Sequence, residues 1–143
     1  MYIAIIDAQS EISRLTTVCY GETLYEIARW FTDEFADTYD MYRDDSETEE
    51  ADGLKVIAQC EELCSLARED ALDMSDLEGL AFDVNGLSVE LYGVYDSFSD
   101  FCDAFTQFVD DKPKYKKIVP DKKACDIYAE CDRLNTLLIK ASI

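Results

Sequence analysis

The sequence predicts an α+β domain in which a small antiparallel sheet packs against about four amphipathic helices. β-forming segments near 2–20 and 79–95 read as two hairpins, and four other segments carry apolar residues at helical spacing. The segments follow in the order ββααββαα, which is typical of this fold class. The chain has 143 residues, of which 48% are hydrophobic, so residues 1–143 can form a single acidic domain with its own core.

The first third of the chain predicts two strands and a capped helix. The segments YIAIIDA (2–8) and SRLTTVCY (13–20) read as neighbouring strands joined by a short polar loop. Thr23 and Glu26 form a capping box, because the hydroxyl and the carboxylate can each accept a terminal N–H. The buried face of the helix that follows is apolar: Leu24, Ile27, Ala28, Phe31 and Phe35. Residues 40–53 (DMYRDDSETEEADG) predict a flexible acidic loop, and a second helix is expected at about 54–70.

The segment around Asn85-Gly86 gives the clearest prediction of local structure in the sequence. The pair lies between two segments of alternating apolar and polar residues, which predicts a hairpin with a type I′ turn. That register places three apolar pairs on one face: Leu80 with Leu91, Phe82 with Val89, and Val84 with Leu87. A helix over about 98–110 then buries a stripe of phenylalanines. Residues 112–123 form a lysine-rich connector with two prolines that disfavour a helix, and a final helix is expected at about 122–140.

Charge is distributed unevenly along the chain. The net charge is −19, and residues 69–111 hold twelve acidic residues and no basic one, whereas residues 112–143 carry a net charge of +4. Halophilic adaptation and acidity for solubility are two alternative explanations, and a halophile would be expected to scatter acids over every surface. We expect no direct nucleic-acid binding by the acidic body and no membrane partner, because both phosphates and anionic lipids attract Lys and Arg. The N-terminus lacks a basic signal-peptide region, which predicts a cytoplasmic protein with reduced cysteines.

Catalytic motifs are missing from the sequence. The chain has no histidine, which removes Ser-His-Asp and Cys-His catalysis, and it has no GxGxxG, P-loop or GxSxG string. Close carboxylate pairs, which a Mg²⁺-dependent hydrolase could use, arise by chance among 32 acids. Cys60-x₃-Cys64 and Cys125-x₅-Cys131 could supply a four-cysteine zinc site, but buried thiols explain these residues better. We therefore expect no enzyme, no cofactor and no stoichiometric zinc.

Rows of carboxylates on two helices are the candidate binding feature. Residues one helical turn apart stand about 5–6 Å from each other, comparable to phosphates along one nucleic-acid strand. Each carboxylate could replace a phosphate in hydrogen bonds from Arg or Lys. The candidate partner-binding carboxylates are Glu22, Glu26, Asp33, Asp37 and Asp40 on the first helix, Asp44, Asp45, Glu47, Glu49 and Glu50 in the acidic loop, and Asp96, Asp100, Asp103 and Asp110 on the third helix.

Possible secondary contacts are Trp30 and four lysines. Trp30 lies about 100° around the helix from Phe31, toward the acidic side, so it either closes the boundary of the core or contacts a partner. The lysines either pair with the acidic surface and relieve repulsion, or contact an acidic patch or nucleic acid beside the partner's basic groove. They are Lys112, Lys114, Lys116 and Lys117.

In its size and charge pattern, the chain resembles the phage- and plasmid-encoded DNA mimics, which include anti-restriction proteins and some anti-CRISPR inhibitors. The resemblance implies a non-enzymatic inhibitor, in the bacterial host cytosol, that blocks the nucleic-acid site of a basic nucleic-acid-binding protein or ribonucleoprotein complex. This hypothesis requires the separate acidic rows to assemble into one contiguous anionic surface. The alternative is a module of the immunity-protein or antitoxin type that neutralises a basic partner without mimicking DNA.

Overall fold

A computed structural model describes residues 1–10, 13–42, 47–84 and 86–142, with the side chains of 38–42 and 47–52 left out of that description. It confirms the α+β class. The strands are β1 Tyr2–Gln9, β2 Arg14–Gly21, β3 Ala81–Val84 and β4 Leu87–Tyr95. The helices are α1 Leu24–Tyr42, α2 Glu47–Arg68, α3 Met74–Leu77, α4 Phe98–Asp110 and α5 Ile127–Ser142. All strand pairs are antiparallel, in the spatial order β2-β1-β4-β3.

The β3–β4 hairpin has the register that its sequence predicts. Val84 lies opposite Leu87, and Phe82 lies opposite Val89. The Leu91 N–H donates to the Leu80 carbonyl at 2.7 Å, which extends the pairing by one step. Gly86 has a φ of +85°, the backbone region that a type I′ turn requires at its second central residue. Asn85 lies outside the described residues.

The sheet is covered by helices on both faces, and strand β1 divides its side chains between the two cores. Ala4 and Ile6 pack in a core with α1, α2 and α3, whereas Ile3 and Ile5 pack in a second core with α4 and α5. Successive side chains of a strand point to opposite faces, so this division follows from the alternation. Two fully buried phenylalanines of α4 pack on the second face, where each buried side chain of this size contributes about 1.5–3 kcal/mol.

Two helix boundaries differ from the sequence prediction. The predicted flexible loop at 40–53 is helical over 40–42, at the end of α1, and over 47–53, at the start of α2; residues 43–46 lie outside the described part of the chain. Glu and Ala are strong helix formers, which accounts for the earlier start of α2. Helix α5 begins at Ile127 rather than near 122, because the Asp126 carboxylate accepts the Ala129 N–H at 3.1 Å and caps the helix there.

Edge strand β2 is covered by a side chain from α5. The Asn135 amide nitrogen donates to the Val18 carbonyl at 2.8 Å, and its oxygen accepts the Val18 N–H at 2.7 Å. Unpaired strand edges are templates for pairing with another chain, so Asn135 closes the edge at this point. In the described residues, no helix is both long and apolar enough to cross a membrane.

Five of the six cysteines are buried, as expected for apolar packing, but Cys125 is exposed. The expectation that all six thiols pack in the core is therefore wrong for Cys125, which lies in the turn before α5. Cys60 and Cys64 belong to the core beneath α1 and α2, whereas Cys131 lies in the core on the other face. The sheet separates the two pairs, so these four thiols do not converge on one metal ion.

Thiol reactivity tests this arrangement. Burial raises the pKa of Cys60 and of Cys102 to about 11 and that of Cys131 to about 12, which suppresses their reactive thiolate forms at neutral pH. With an aromatic disulfide reagent, we expect one thiol to react rapidly in the native protein and the other five only after denaturation. Cys125→Ser should remove the rapid phase, and Cys102→Ser should retain it. A rapid phase of two or more thiols would contradict this burial pattern.

Candidate protein-binding surface

The acidic row of α1 is exposed over its described length. Glu22, Glu26, Asp33 and Asp37 all face solvent, and the side chain of Asp40 is outside the description. Glu26 also completes the capping box that the sequence predicts. Its carboxylate accepts the N–H of Glu22 and, at 3.3 Å, that of Thr23, whose hydroxyl accepts the Glu26 N–H at 3.3 Å. The row therefore begins at a rigid, capped helix end.

Arg29 neutralises part of this row. Its guanidinium donates to Asp33 at 3.1 Å and to both carboxylate oxygens of Glu61, at 2.8 and 2.9 Å. Hydrogen bonds to Glu61 and Asp33 raise the pKa of Arg29, and the same guanidinium lowers the pKa of Glu61. Exposed pairs of this kind contribute about 0.3–0.5 kcal/mol. Asp33 is therefore already paired, whereas Asp37 lies one turn further along the row.

Three aromatic rings from different elements meet beside the row. Tyr20 of β2 stacks on Tyr128 of α5, with ring centroids 4.6 Å apart, and its edge meets Trp30 of α1 at 5.3 Å. All three side chains are half-buried. Trp30 also packs against the core beneath α1, so it is a boundary residue that keeps one side in solvent. The cluster connects the two helical layers around the edge of the sheet.

Carboxylates from both layers hold the tyrosine hydroxyls of this cluster. The Tyr20 hydroxyl donates to Asp132 at 2.9 Å, and the Tyr128 hydroxyl donates to Glu22. The hydrogen bond to Glu22 raises the pKa of Tyr128 to about 12, and the bond to Asp132 raises the pKa of Tyr20. Both phenols therefore stay neutral at physiological pH. Glu22, just before α1, and Asp132 of α5 thus meet around the same rings.

A shallow groove of about 420 Å³ continues from Trp30 along α1. Its walls include Tyr25, Asp37 and Glu34. Burial raises the pKa of Glu34, while a hydrogen bond from the Trp30 indole opposes that shift. We call the cluster and this groove together the acid–aromatic surface. Its residues are Tyr20, Glu22, Tyr25, Glu26, Arg29, Trp30, Asp33, Glu34, Asp37, Tyr128 and Asp132.

The acidic row of α4 does not join this surface. Asp96, Asp100, Asp103 and Asp110 are exposed, but α4 packs on the face of the sheet opposite to α1. The outward sides of the two helices therefore point away from each other. One of these carboxylates, Asp103, forms an ion pair with Lys122. The hypothesis of one contiguous surface made from both rows is wrong, because β1 sends the two helices to opposite layers.

The side chains of the five candidate residues in the acidic loop are outside the part of the chain that the structure describes. Glu47, Glu49 and Glu50 lie in the first turns of α2, but their side chains fall outside the description. Asp44 and Asp45 lie outside the described residues altogether. These five acids therefore stay a sequence prediction.

The lysine segment, residues 112–123, pairs with acids only in part. Lys112 donates to Asp111 at 3.1 Å and to the Phe108 carbonyl at 2.6 Å, and its ammonium lies 3.8 Å from the centre of the Phe108 ring. Lys114, Lys116 and Lys117 are exposed, and none of them forms an ion pair with a carboxylate that the structure describes. The predicted pairing of these three lysines with the acidic surface is not observed among the residues that the structure describes.

Sequence reasoning missed Tyr20, Glu34, Tyr128 and Asp132. Tyr20 lies 108 positions before Tyr128 and 112 before Asp132. No local pattern connects residues so far apart, since their contact depends on α5 packing over β2. The usable signal was composition, because exposed Tyr and Trp are enriched at protein interfaces.

In the described portion of the chain, no group of three or more His, Cys, Asp or Glu side chains is placed to hold a metal ion. Comparison of the chain with protein-family models, with curated proteins and with solved structures gives no match. We therefore infer function from the acid–aromatic surface itself.

The single tryptophan provides a test of the groove. Because burial raises the pKa of Glu34 above the usual value of 4.5, its protonation on acidification should begin at a higher pH than that of an exposed glutamate. We expect the fluorescence of Trp30 to change with a midpoint above pH 4.5 as its acceptor becomes neutral. Glu34→Gln should abolish this transition, and Glu62→Gln, an exposed change on α2, should retain it. A transition that survives Glu34→Gln would contradict the contact.

Proposed function

We propose that this protein is a non-enzymatic acidic inhibitor that acts in the cytoplasm. It occupies the basic DNA- or RNA-binding site of a nuclease or defence complex with its acid–aromatic surface alone, without the α4 row that the sequence hypothesis included. The observation that carries this proposal is the meeting of two carboxylates, Glu22 just before α1 and Asp132 of α5, around three half-exposed aromatic rings. Carboxylates supply the negative charge, and the rings supply contact area.

The chemistry of this surface fits a partner rich in arginine. Carboxylates accept bidentate hydrogen bonds from guanidinium groups, and aromatic faces attract the same cations. Within the protein, Arg68 already shows the second contact, since its guanidinium lies 4.6 Å from the centre of the Tyr25 ring. The net charge of −19 would also accelerate encounters with a basic partner. A groove that binds phosphates presents this same set of cations.

The compactness of the aromatic cluster, which lies on one side of the protein, supports a second candidate function. Aromatic anchors with a polar rim are typical of protein–protein hot spots, whereas a nucleic-acid mimic needs an extended row of charge. The clustering of Tyr20, Trp30 and Tyr128 favours a module that neutralises a basic protein without using its nucleic-acid site. The two candidates differ in whether the partner can hold nucleic acid and this protein together.

Competition binding with the isolated partner tests both functions. A partner obtained by affinity capture at low salt should bind less tightly as salt rises, because releasing counterions drives the association. For a mimic, duplex DNA or the partner's RNA should compete with this protein for one site. Formation of a ternary complex would reject mimicry and support the second candidate. Binding that is insensitive to salt would contradict both, and Trp30→Ala should weaken binding in either case.

A further inference from the structure

The lysine segment is held firmly against the body of the protein. Tyr115 is only 2% exposed, and its hydroxyl contacts the Ser142 hydroxyl at 2.8 Å and the Arg14 carbonyl at 3.4 Å. Ile118 is buried in the same core. Turn hydrogen bonds, from the Tyr115 N–H to the Lys112 carbonyl and from the Ile118 N–H to the Tyr115 carbonyl, both at 2.9 Å, fix the backbone between these anchors. Lys114, within the first of these turns, and Lys116 and Lys117, within the second, are therefore presented at defined positions.

Three lysines of the segment 112–123 direct their charge to solvent and not to a described carboxylate. Lys114, Lys116 and Lys117 are exposed and form no ion pair with described carboxylates, although the chain has 32 acids. The bases beside them are already engaged. Arg14 donates to Asp7 at 3.0 Å, and Lys112 pairs with Asp111. Neutralising the three outward lysines should therefore cost little stability, which separates them from lysines that relieve internal repulsion.

The outward lysines lie far enough from the acid–aromatic surface to keep a positive local field. Tyr115 contacts β2 at Arg14, whereas the aromatic cluster contacts the same strand at Tyr20. Six residues of a strand span about 20 Å, and charges are screened over about 8 Å at physiological ionic strength. The exposed acids beside this segment are Asp110 and Asp111, at the end of α4, and Asp121 within the segment, and Asp111 is paired with Lys112. The two charged surfaces therefore act separately.

We infer that Lys114, Lys116 and Lys117 bind the phosphate backbone of a nucleic acid. Their spacing along an irregular turn suits a ligand with dense charge, and a duplex presents one negative charge per ~1.7 Å of its axis. Each ammonium group finds a phosphate there whatever the register, because lysine acts as a point charge without a fixed binding geometry. An acidic protein surface would have to match the three positions individually. The contact goes beyond the proposed function and does not depend on it.

Amide chemical shifts of the isolated, full-length protein test this inference. With a duplex of about 12 base pairs at low salt, three phosphate contacts predict a slope of log K against log salt of about −2.7. Binding should therefore weaken about 40-fold between 50 and 200 mM salt. We expect the duplex to change the amide chemical shifts of residues 112–119 and not those of α1. The triple variant Lys114→Gln, Lys116→Gln, Lys117→Gln should lose them while keeping its thermal midpoint.

A charge-matched control excludes a simple effect of net charge. Gln59→Glu, Ser65→Glu and Ser75→Glu change the charge by the same amount at exposed positions on the other layer of the fold. This control should retain the shifts at 112–119, and Lys116→Gln alone should reduce the salt slope by about 0.9. Equal weakening by both triple variants, or no shifts at 112–119, would overturn the inference. The same amide resonances can be followed in a titration with polyglutamate. If they shift at a lower concentration of polyglutamate than of the duplex, the lysines bind an acidic protein instead.

Discussion

The alternation of buried side chains along β1 determines on which side of the sheet the acidic rows of α1 and α4 lie. Ala4 and Ile6 face one core and Ile3 and Ile5 face the other, so the strand must be covered by helices on both sides. Helices α1 and α4 take these two positions, and their polar sides consequently point in opposite directions. A sheet buried on one face only would have allowed the acidic rows to lie side by side.

In the same arrangement, the two ends of edge strand β2 lie beside side chains of opposite charge. At its Tyr20 end, α1 and α5 contribute carboxylates that surround an aromatic cluster. At its Arg14 end, the lysine segment packs through Tyr115 and exposes three lysines that pair with no carboxylate among the described residues. Asn135 occupies the edge between these ends, at Val18. The two ends of β2 therefore differ in the sign of the charge that they expose, with carboxylates at one end and lysines at the other.

Local interactions were predictable from sequence, whereas the assembly of the surface was not. The capping box of Thr23 and Glu26 and the register of the β3–β4 hairpin depend on neighbours within a few residues, and the structure has both. The layer that each helix occupies depends on which strand face it covers, and no periodicity within the helix encodes that choice. The stacking of Tyr20 on Tyr128 similarly depends on contacts between distant segments. Cys125 was expected in the core because reduced cysteines usually serve as small apolar packing residues, whereas the structure exposes it in the turn before α5.

The central claim is that the acid–aromatic surface binds the partner and that the α4 row does not. Two isosteric variants of the same charge test it through partner affinity. The first is Glu22→Gln, Asp33→Asn, Asp37→Asn, Asp132→Asn, and the second is Asp96→Asn, Asp100→Asn, Asp103→Asn, Asp110→Asn. Since a hydrogen bond to a charged group contributes about 1.5–3 kcal/mol, the first variant should weaken binding by at least about 100-fold. The second should change it by less than about threefold, since only long-range steering is lost. Equal weakening, or a larger effect from the α4 variant, would contradict the account.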